Sequence, residues 1–390
     1  MLKDDAMLNF TVTDTLDNIP QNTWDRLFGY DLIESYGYHK TLHEAKLNEF
    51  ATYYLIGKRN DATVAIIPFF TMEFSFTTLI RGPLQRIVFG IRKFYKNFLT
   101  MKIVFIGSPT TESFHIGVAE TENKNCIIDH AYKKIETFSR THHINTILFY
   151  NLTNADQSLM KHLLNNGFAG MEDFPGARLE IQAKSLDEYI AHLGSSTRKD
   201  IRRKLRKSTQ AAVLETEIRE TVDGIIDDLY KLYLNNFNES DIHFEILTPE
   251  FFTKLCHNMP GIVKCFVTRH NGKIVAFNMC FVKGNFCIDK FIGLDYTVAL
   301  QYNLYYTTIC YNIDWCIKNG IRYYQPGQGD YDAKIRLGAK LIPLYIFIKS
   351  FNPLLNFFMK PIIQLTQPKN FDPALKNLAK YRKEVFLREG

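Results

Sequence analysis

One order of elements, helix, hairpin, strand, helix, strand, occurs twice along the chain, and few folds accommodate such a repeat of hydrophobic periods. In the first half, ATYYLIGKRNDATVAIIPFFT reads as a strand, a polar turn at Arg59, Asn60 and Asp61, and a returning strand. MKIVFIG follows as a third strand, then a helix from about Asn125 to His143, then the strand NTILFYNL. In the second half, KCFVTRHNGKIVAFNMCFV reads as a hairpin turning at Asn271 and Gly272. NFCIDKFIGLD is its third strand, followed by a helix from about Gln301 to Lys318 and the strand GIRYYQP. Two-residue turns of Asn with Asp or Gly suit tight hairpins because both residues accept positive φ. The expected fold class is therefore α/β. Two tandem domains, 1–184 and 185–390, each hold a mixed, mostly antiparallel sheet flanked by helices, with the boundary between Ala183 and Asp187.

Shorter helices frame this pattern. Pro20 to Phe28 and Asp31 to Ala45 precede the first hairpin, SLDEYIAHL and SSTRKDIRRKLRKS open the second half, and Pro373 starts a final helix running to about Arg388.

The composition is that of a globular protein, with 46% hydrophobic and 23% charged residues, which argues against disorder, collagen and coiled coil. The net charge of +6 is local: Arg198 to Lys207 alone carries seven basic residues against the single acid Asp200. That concentration argues against a nucleic-acid coat over the whole surface and for one anion-facing element. The seven cysteines are odd in number and never spaced as Cys-x-x-Cys, as expected for free, buried thiols in a reducing cytoplasm. MLKDDAMLNF carries two early acids and no apolar core of a signal peptide, and no apolar run approaches the roughly 18 residues of a spanning helix. The expectation is a cytoplasmic protein. Leu84, Ile87, Val88, Ile91, Phe94, Tyr95 and Phe98 fall on one helical face, with Arg86, Arg92, Lys93 and Lys96 elsewhere, a pattern shared by interfacial helices and by helices packed on their own domain. It adds a peripheral location at the inner membrane face to the expectation.

Three passages of the second half go further: STRKDIRRKLRK ahead of the domain core, the hairpin FVTRHNGKIVAFNMCFVKGN, and WCIKNGIRYYQPGQGDYDAKIRLGA. They resemble the GNAT-fold acyltransferases of the FemAB-like group, a bacterial two-domain branch that includes peptidoglycan aminoacyl transferases. In that group the last passage reads as a helix ending in Gly, a strand ending in an aromatic, an acid, any residue and Gly, and then a Lys and a Gly. Tyr324, Gly327, Lys334 and Gly338 match; Gln325 stands at the acid position. The turn ahead of the second-half helix reads YTVALQYN in place of the group's Gln/Arg-x-x-Gly-x-Gly/Ala loop. No arm of charged heptads interrupts the second half, so the similarity is to armless relatives of the peptidoglycan enzymes. The resemblance covers about Ser195 to Lys349 and is topological over the first half.

It implies two GNAT-like domains and transfer of an acyl group from a thioester, acyl-CoA or acyl carrier protein, to an amine, without a metal. The acceptor is an amine-bearing small molecule or cell-envelope component. Two rivals stand beside this reading: a transferase using aminoacyl-tRNA on a peptidoglycan precursor, and an inert tandem-GNAT protein that binds an anionic surface or a protein. The loop GQGDYDAKIRLG supplies the candidate catalytic residues Asp330, as proton acceptor, and Lys334, as charge stabiliser, with Tyr324 at the strand end. Tyr302, Asn303 and Tyr305, at the start of the second-half helix, and Gln328 are the candidate donor-binding residues, because a helix start favours an anion. Arg198, Arg202 and Arg206 are the candidate contacts to an anionic acceptor, an anionic membrane surface or tRNA. The histidines lack partners at ligand spacing and no Cys sits in a nucleophile motif.

Overall fold

The computed structural model of the chain describes residues 8–29, 33–75, 90–95, 100–239, 246–365, 367–370 and 372–378. The strands are β1 (Asn9–Thr13), β2 (Phe50–Arg59), β3 (Ala62–Ser75), β4 (Thr100–Ile106), β5 (Gly117–Val118), β6 (Thr146–Leu152), β7 (Ala169–Glu172), β8 (Gly176–Glu180), β9 (Glu215–Arg219), β10 (Val263–His270), β11 (Lys273–Lys283), β12 (Phe286–Leu294), β13 (Tyr323–Gln325), β14 (Lys340–Ile342) and β15 (Tyr345–Ser350). They form two sheets. The first has the order β1-β2-β3-β4-β6-β15-β7, with β5 paired to β3; the second has the order β14-β8-β13-β12-β11-β10-β9.

Each sheet contains the same antiparallel run of three strands, β2-β3-β4 and β10-β11-β12, followed by a helix and a parallel strand. The turns have the expected chemistry. Asn60 and Asp61 take φ 48° and 64°, and Asn271 and Gly272 take φ 50° and 77°. A parallel neighbour cannot be reached by a hairpin, so each half uses a crossover helix. In the first half this is α3 (Lys124–Thr141), preceded by α1 (Gln21–Phe28) and α2 (Tyr36–Ala45) and followed by α4 (Gln157–Asn165). Ile127, Ala131 and Ile135 recur at i, i+4 and i+8 on α3 and pack on Val104, Ile106, Ile147 and Phe149 of the sheet. NTILFYNL and IRYYQP thus occupy equivalent places, as β6 and β13, and the α/β class with two mixed sheets is as expected.

In the second half the helices are α5 (Leu186–His192), α6 (Ser195–Ala211), α7 (Ile226–Glu239), α8 (Pro249–Asn258), α9 (Tyr296–Tyr302), α10 (Leu304–Lys318) and α11 (Tyr331–Arg336). Helices α12 (Pro353–Leu365) and α13 (Pro373–Leu378) follow β15. Helix α7 lies close on β12: a Cβ at Gly293 would meet the Phe277 ring at 2.3 Å and the Leu232 backbone at 2.7 Å, so only glycine fits there. The expected single helix from Gln301 is instead two, α9 and α10, joined at Asn303 with φ 48°. Helix α6 begins at Ser195 and has no side-chain cap. Six of the seven cysteines are buried and free; Cys126, at the start of α3, is exposed.

The division of the chain differs from the simple boundary at 184. One compact unit ends at Phe174 and takes back the chain from Pro343; the other runs from Pro175 to Ile342. The reason is hydrogen bonding. β8 pairs with β13 and β14, in the second sheet, whereas β15 pairs with β6 and β7, in the first. Each sheet therefore receives one internal strand from the far side of the sequence boundary. Phe347 of β15 belongs to the first core, and Ala177 and Leu179 of β8 are buried in the second unit.

Most of the Leu84–Phe98 stripe lies outside the described residues, as does the final helix beyond Leu378. Within the described part of the stripe, Phe94 and Tyr95 are exposed. Among the described residues no helix is long and apolar enough to cross a membrane.

Strand exchange makes a direct test. A polypeptide of residues 185–390 lacks β8, leaving β13 and β14 without the strand between them, and is expected to give no cooperative thermal transition by circular dichroism. The span 175–342 holds every strand of the second sheet and is expected to melt cooperatively. Equal melting of the two would show that β8 is dispensable.

Candidate active site at the parting of two parallel strands

In the second unit, β12 and β13 pair in parallel only over Phe286↔Tyr323, Cys287↔Tyr324 and Ile288↔Gln325. Beyond Ile288, β12 continues to Leu294 with β11 on one side and, among the described residues, no strand on the other. β13 ends at Gln325, and the chain turns through Gly327 and Gly329, at φ 71° and 77°, into α11. Two parallel strands that part early leave an open edge at their carboxyl ends, the usual place for a ligand in α/β sheets.

The floor of the gap is polar. Asp289, the first β12 residue past the last parallel pair, is buried; its Oδ2 accepts from the Tyr324 hydroxyl at 2.5 Å, Asn278 Nδ2 at 2.7 Å and Asn312 Nδ2 at 3.3 Å. Asn312 Nδ2 also lies 3.2 Å from the Tyr324 oxygen. Burial pushes the Asp289 carboxyl up to about 6, against the pull of these donors and of the Lys334 charge. Tyr324 is fully buried and its phenol is raised well above its ordinary value, first by burial and then by Asp289. A neutral, buried phenol beside Asp289 reaches no substrate directly. Asp289 carries no sequence motif: it sits in NFCIDKFIGLD where a solvent-facing acid is the ordinary reading. The signal available was its place after the paired apolar residues of a strand.

The turn above this floor is held from below. Lys334 is 4% exposed and donates from Nζ to the carbonyls of Gln328 at 2.7 Å and Gly327 at 3.1 Å. The sequence suggested Lys334 as a charge stabiliser; the structure places its ammonium under the turn as a brace. Gln328 and Asp330 are exposed, and Asp330 adopts the left-handed conformation, φ 44°, at the N-terminus of α11 without a side-chain cap bond. Such a backbone is costly for a residue with a Cβ and is a mark of functional turns. The Tyr331 hydroxyl donates to Pro175 O at 2.9 Å, and that of Tyr189 to Leu337 O at 2.5 Å, fixing the far side of α11.

The Asp330 charge raises the phenols of Tyr296, at the start of α9, and Tyr305, at the start of α10, in both cases after burial as the larger cause. The Tyr305 hydroxyl is buried without a hydrogen-bond partner. Tyr302 is elsewhere: its ring is buried in a cluster with Ala212, Val275, Leu294 and Leu304 and tilts on His270 at 5.0 Å, so its side chain is core and not a donor contact. Asn303 forms the joint between the helices. Asp295 occupies the start of α9, accepting from Thr297 N at 3.1 Å and Lys273 Nζ at 2.7 Å. That carboxylate takes the place an anion would need there.

Helix α6 packs beside α10. Lys204 Nζ lies 3.4 Å from the centre of the Tyr306 ring, and the Thr307 hydroxyl donates to Ser208 Oγ at 3.2 Å. Asp200 binds Arg203 at 2.5 Å and Lys204 at 2.9 Å, and these bonds hold its carboxyl below the usual range. Arg198 donates to the Ala191 carbonyl at 2.8 Å. Lys199, Arg202, Arg206 and Lys207 remain exposed on the outer face, so of the three expected arginines two are available and one is tied to the backbone.

The first unit shows why its equivalent place is different. β4 and β6 pair in parallel from Val104↔Ile147 to Ile106↔Phe149, but the loop after β4 then closes on β6. Phe114 N donates to Asn151 O at 2.7 Å, Asn151 Nδ2 to Thr111 O at 2.8 Å, and the Tyr150 hydroxyl to Ser108 O. Ser108 is anchored in turn to Glu34 and to His39, whose Nε2 lies 2.8 Å from Glu34 Oε2. All three are buried.

Residues 195–334 match the family model described as an acetyltransferase (GNAT) domain. The fold of the chain is similar to that of FemX, with a TM-score of 0.54 and 9% identity over 88% of this chain and 98% of that one. It is also similar to a tandem GNAT protein from the clavulanic acid biosynthesis pathway, with a TM-score of 0.52 and 10% identity over 89% and 99% of the two chains. No curated protein matches the sequence. The parted strand pair therefore lies within the stretch that matches a GNAT acetyltransferase domain, and the fold of the chain is similar to the tandem fold of FemX.

Proposed function

We propose that the chain transfers an acyl group from a thioester donor, acyl-CoA or acylated carrier protein, to the amine of a small-molecule or cell-envelope acceptor. The observation that carries this reading is the parting of β12 and β13 after Ile288, beside the Gly327–Asp330 turn. A free strand edge offers alternating N–H and C=O groups, which the amides of a pantetheine arm satisfy as an added strand would. The thioester then lies at the parting of the strands. Asp330, exposed on the turn, accepts the proton that the amine loses as it attacks the acyl carbon, and the thiolate leaves with the donor. Tyr305, Asn303 and Gln328 are assigned to the donor, and Lys334 fixes the turn from below. Both donors are cytoplasmic compounds, which places the reaction there.

Arg202 and Arg206, with Arg198 anchoring the start of α6, form the anionic contact. Their exposed, unneutralised charge also supports a second reading, in which the donor is aminoacyl-tRNA and the acceptor a peptidoglycan precursor, or in which the stripe rests on an anionic membrane face. The salt dependence of binding measures this contact, since each phosphate neutralised contributes to the slope.

Calorimetry on the whole chain with acetyl-CoA, longer acyl-CoAs, acyl carrier protein and aminoacyl-tRNA is expected to show binding of a thioester. Binding of none of them would favour an inert tandem-GNAT protein. With the competent donor, Asp330→Asn is expected to lower kcat by about 10²-fold with little change in donor affinity, since general base catalysis contributes 10²–10⁴. Full activity would remove Asp330 from the chemistry.

Replacing Arg202 and Arg206 by Ala is expected to weaken binding of the anionic partner and flatten its salt dependence, while thermal stability stays within about 0.5 kcal/mol because exposed charges add little to folding. Unchanged binding with early melting would make the stripe structural.

A further inference from the structure

In the first unit the polarity of helix α12 is inverted. The helix packs on β7 and β15. Its inner positions are Asn356, Met359 and Ile363: the two apolar side chains are buried, and Asn356 accepts from Ser350 N at 3.0 Å and donates to Gly167 O at 3.2 Å. Leu354, Phe357 and Pro361, at i, i+3 and i+7, share the opposite face, where a helix in water carries polar side chains. All three are exposed, Leu354 to 68% and Phe357 to 70%.

A second exposed apolar pair stands at the same end of the first sheet. Residues 90–95 form a helical turn in which Phe94 is 85% and Tyr95 72% exposed, and Arg92 Nη1 donates to Ser75 Oγ at 3.2 Å. Ser75, the last residue of β3, lies opposite Thr100, the first of β4. β4 and β6 run parallel, with Thr146 Oγ1 at 3.7 Å from Met101 Sδ, and Thr146, the first residue of β6, lies opposite Ser350, the last of β15. Helix α12 begins three residues later. The register of four strands thus brings both apolar groups to one end of the sheet.

The charge around them has one sign. Residues 74–111 hold no acid, and neither do residues 343–371, although the chain has 41 acids among 390 residues. The first stretch carries Arg81, Arg86, Arg92, Lys93, Lys96 and Lys102; the second carries Lys349, Lys360 and Lys369. Glu73 and Glu136, toward the same end, each face a cation, Lys102 across the strand pair and Arg140 at 2.7 Å. A second copy of the chain seated here would set these cations against themselves, whereas anionic headgroups above an apolar layer answer both the charge and the exposed side chains.

We propose that this end of the first sheet, with Phe94, Tyr95, Leu354 and Phe357 as its apolar contacts, docks on a bilayer containing anionic phospholipid. Thirteen residues are too few to span a bilayer, so α12 lies along the surface, and the aromatic pair enters the interfacial layer that suits such rings. The proposal does not depend on the identity of the acyl donor. It gives the first unit, whose own strand pair is closed, the task of holding the second at the membrane.

The experiment is flotation of the whole chain with vesicles of phosphatidylcholine, with and without phosphatidylglycerol. The wild-type chain is expected to float only with phosphatidylglycerol vesicles and to be released by salt. The combined variant Phe94→Ser, Tyr95→Ser, Leu354→Ser and Phe357→Ser is expected to lower the partition coefficient by about tenfold or more, since each buried large apolar side chain contributes severalfold, with the melting temperature unchanged. Failure of the wild-type chain to float, or undiminished flotation of the variant, overturns the proposal. Loss of flotation on replacing Arg202 and Arg206, with the four-residue variant still floating, would assign the membrane to α6 and overturns it too. So does a wild-type dimer in sedimentation that the four substitutions convert to monomer, which would make a second copy the occupant. Should the combined variant not fold, Phe94→Trp and Phe357→Trp are read singly: each is expected to shift its emission to the blue and to be quenched by brominated lipid, and unquenched emission from both overturns the proposal.

Discussion

A parallel pair of strands that separates after three residues is the constraint on which the second unit depends. Parallel pairing requires the α9–α10 crossover between β12 and β13, and this crossover brings Tyr296 and Tyr305 to the same end of the sheet as the turn after β13. Early separation exposes the β12 edge and creates a space whose floor is made by side chains pointing from β11, β12, β13 and α10. Asn278, Asp289, Tyr324 and Asn312 come one from each of these elements, so their hydrogen bonds tie together the four pieces that border the gap. A network of this kind specifies one arrangement because every misfit leaves a buried polar group unpaired.

The comparison between the two units isolates what the open gap requires. Both have three antiparallel strands, a crossover helix and a parallel strand. In the first, the segment after β4 turns back through Thr110, at φ 59°, and bonds to Asn151 at the end of β6. Loop and strand satisfy each other, and the Glu34, His39 and Ser108 cluster holds the loop in place. In the second, the chain after β12 goes straight into α9 under the Asp295 cap, and the parallel pairing with β13 ends at Ile288. One topology thus gives a sealed strand pair in one case and an open one in the other, and the difference lies in where the connecting segment finds its hydrogen bonds.

This difference also explains what could be read in the sequence. The hairpins at Asn60–Asp61 and Asn271–Gly272 are legible because the turn chemistry is local and apolar runs flank each turn. The glycine-rich loop after β13 is legible because Gly327 and Gly329 announce positive φ. The exchange of β8 and β15 is not: each is a strand of five or six residues whose partners lie far away in sequence, and its own pattern is equally satisfied by either sheet. The break at Asn303 hides inside a continuous helical period, and the burial of Tyr302 follows from that break, which turns its ring toward Val275 and Leu294. Asp289 is hidden for a different reason. Its neighbours in sequence are apolar or basic, and the asparagines and tyrosine that make its burial tolerable come from three other elements.

Lys334 shows how a residue type recognised in sequence can be correct in place and different in action. A lysine near the strand end suggests a charge aimed at substrate, but the ammonium is buried and donates to two consecutive turn carbonyls. Those carbonyls point inward because Gly327 and Gly329 take positive φ, and Asp330 follows them into the same region although it is not glycine. The strain of a left-handed aspartate is tolerable only where its surroundings fix the backbone on both sides. Lys334 does so from within α11, and the Tyr331 hydroxyl does so through Pro175 at the start of β8. The exposed carboxylate at the mouth of the gap is therefore held by buried groups on either side of it, and the strand that completes this support is the one the second sheet takes from beyond the expected boundary.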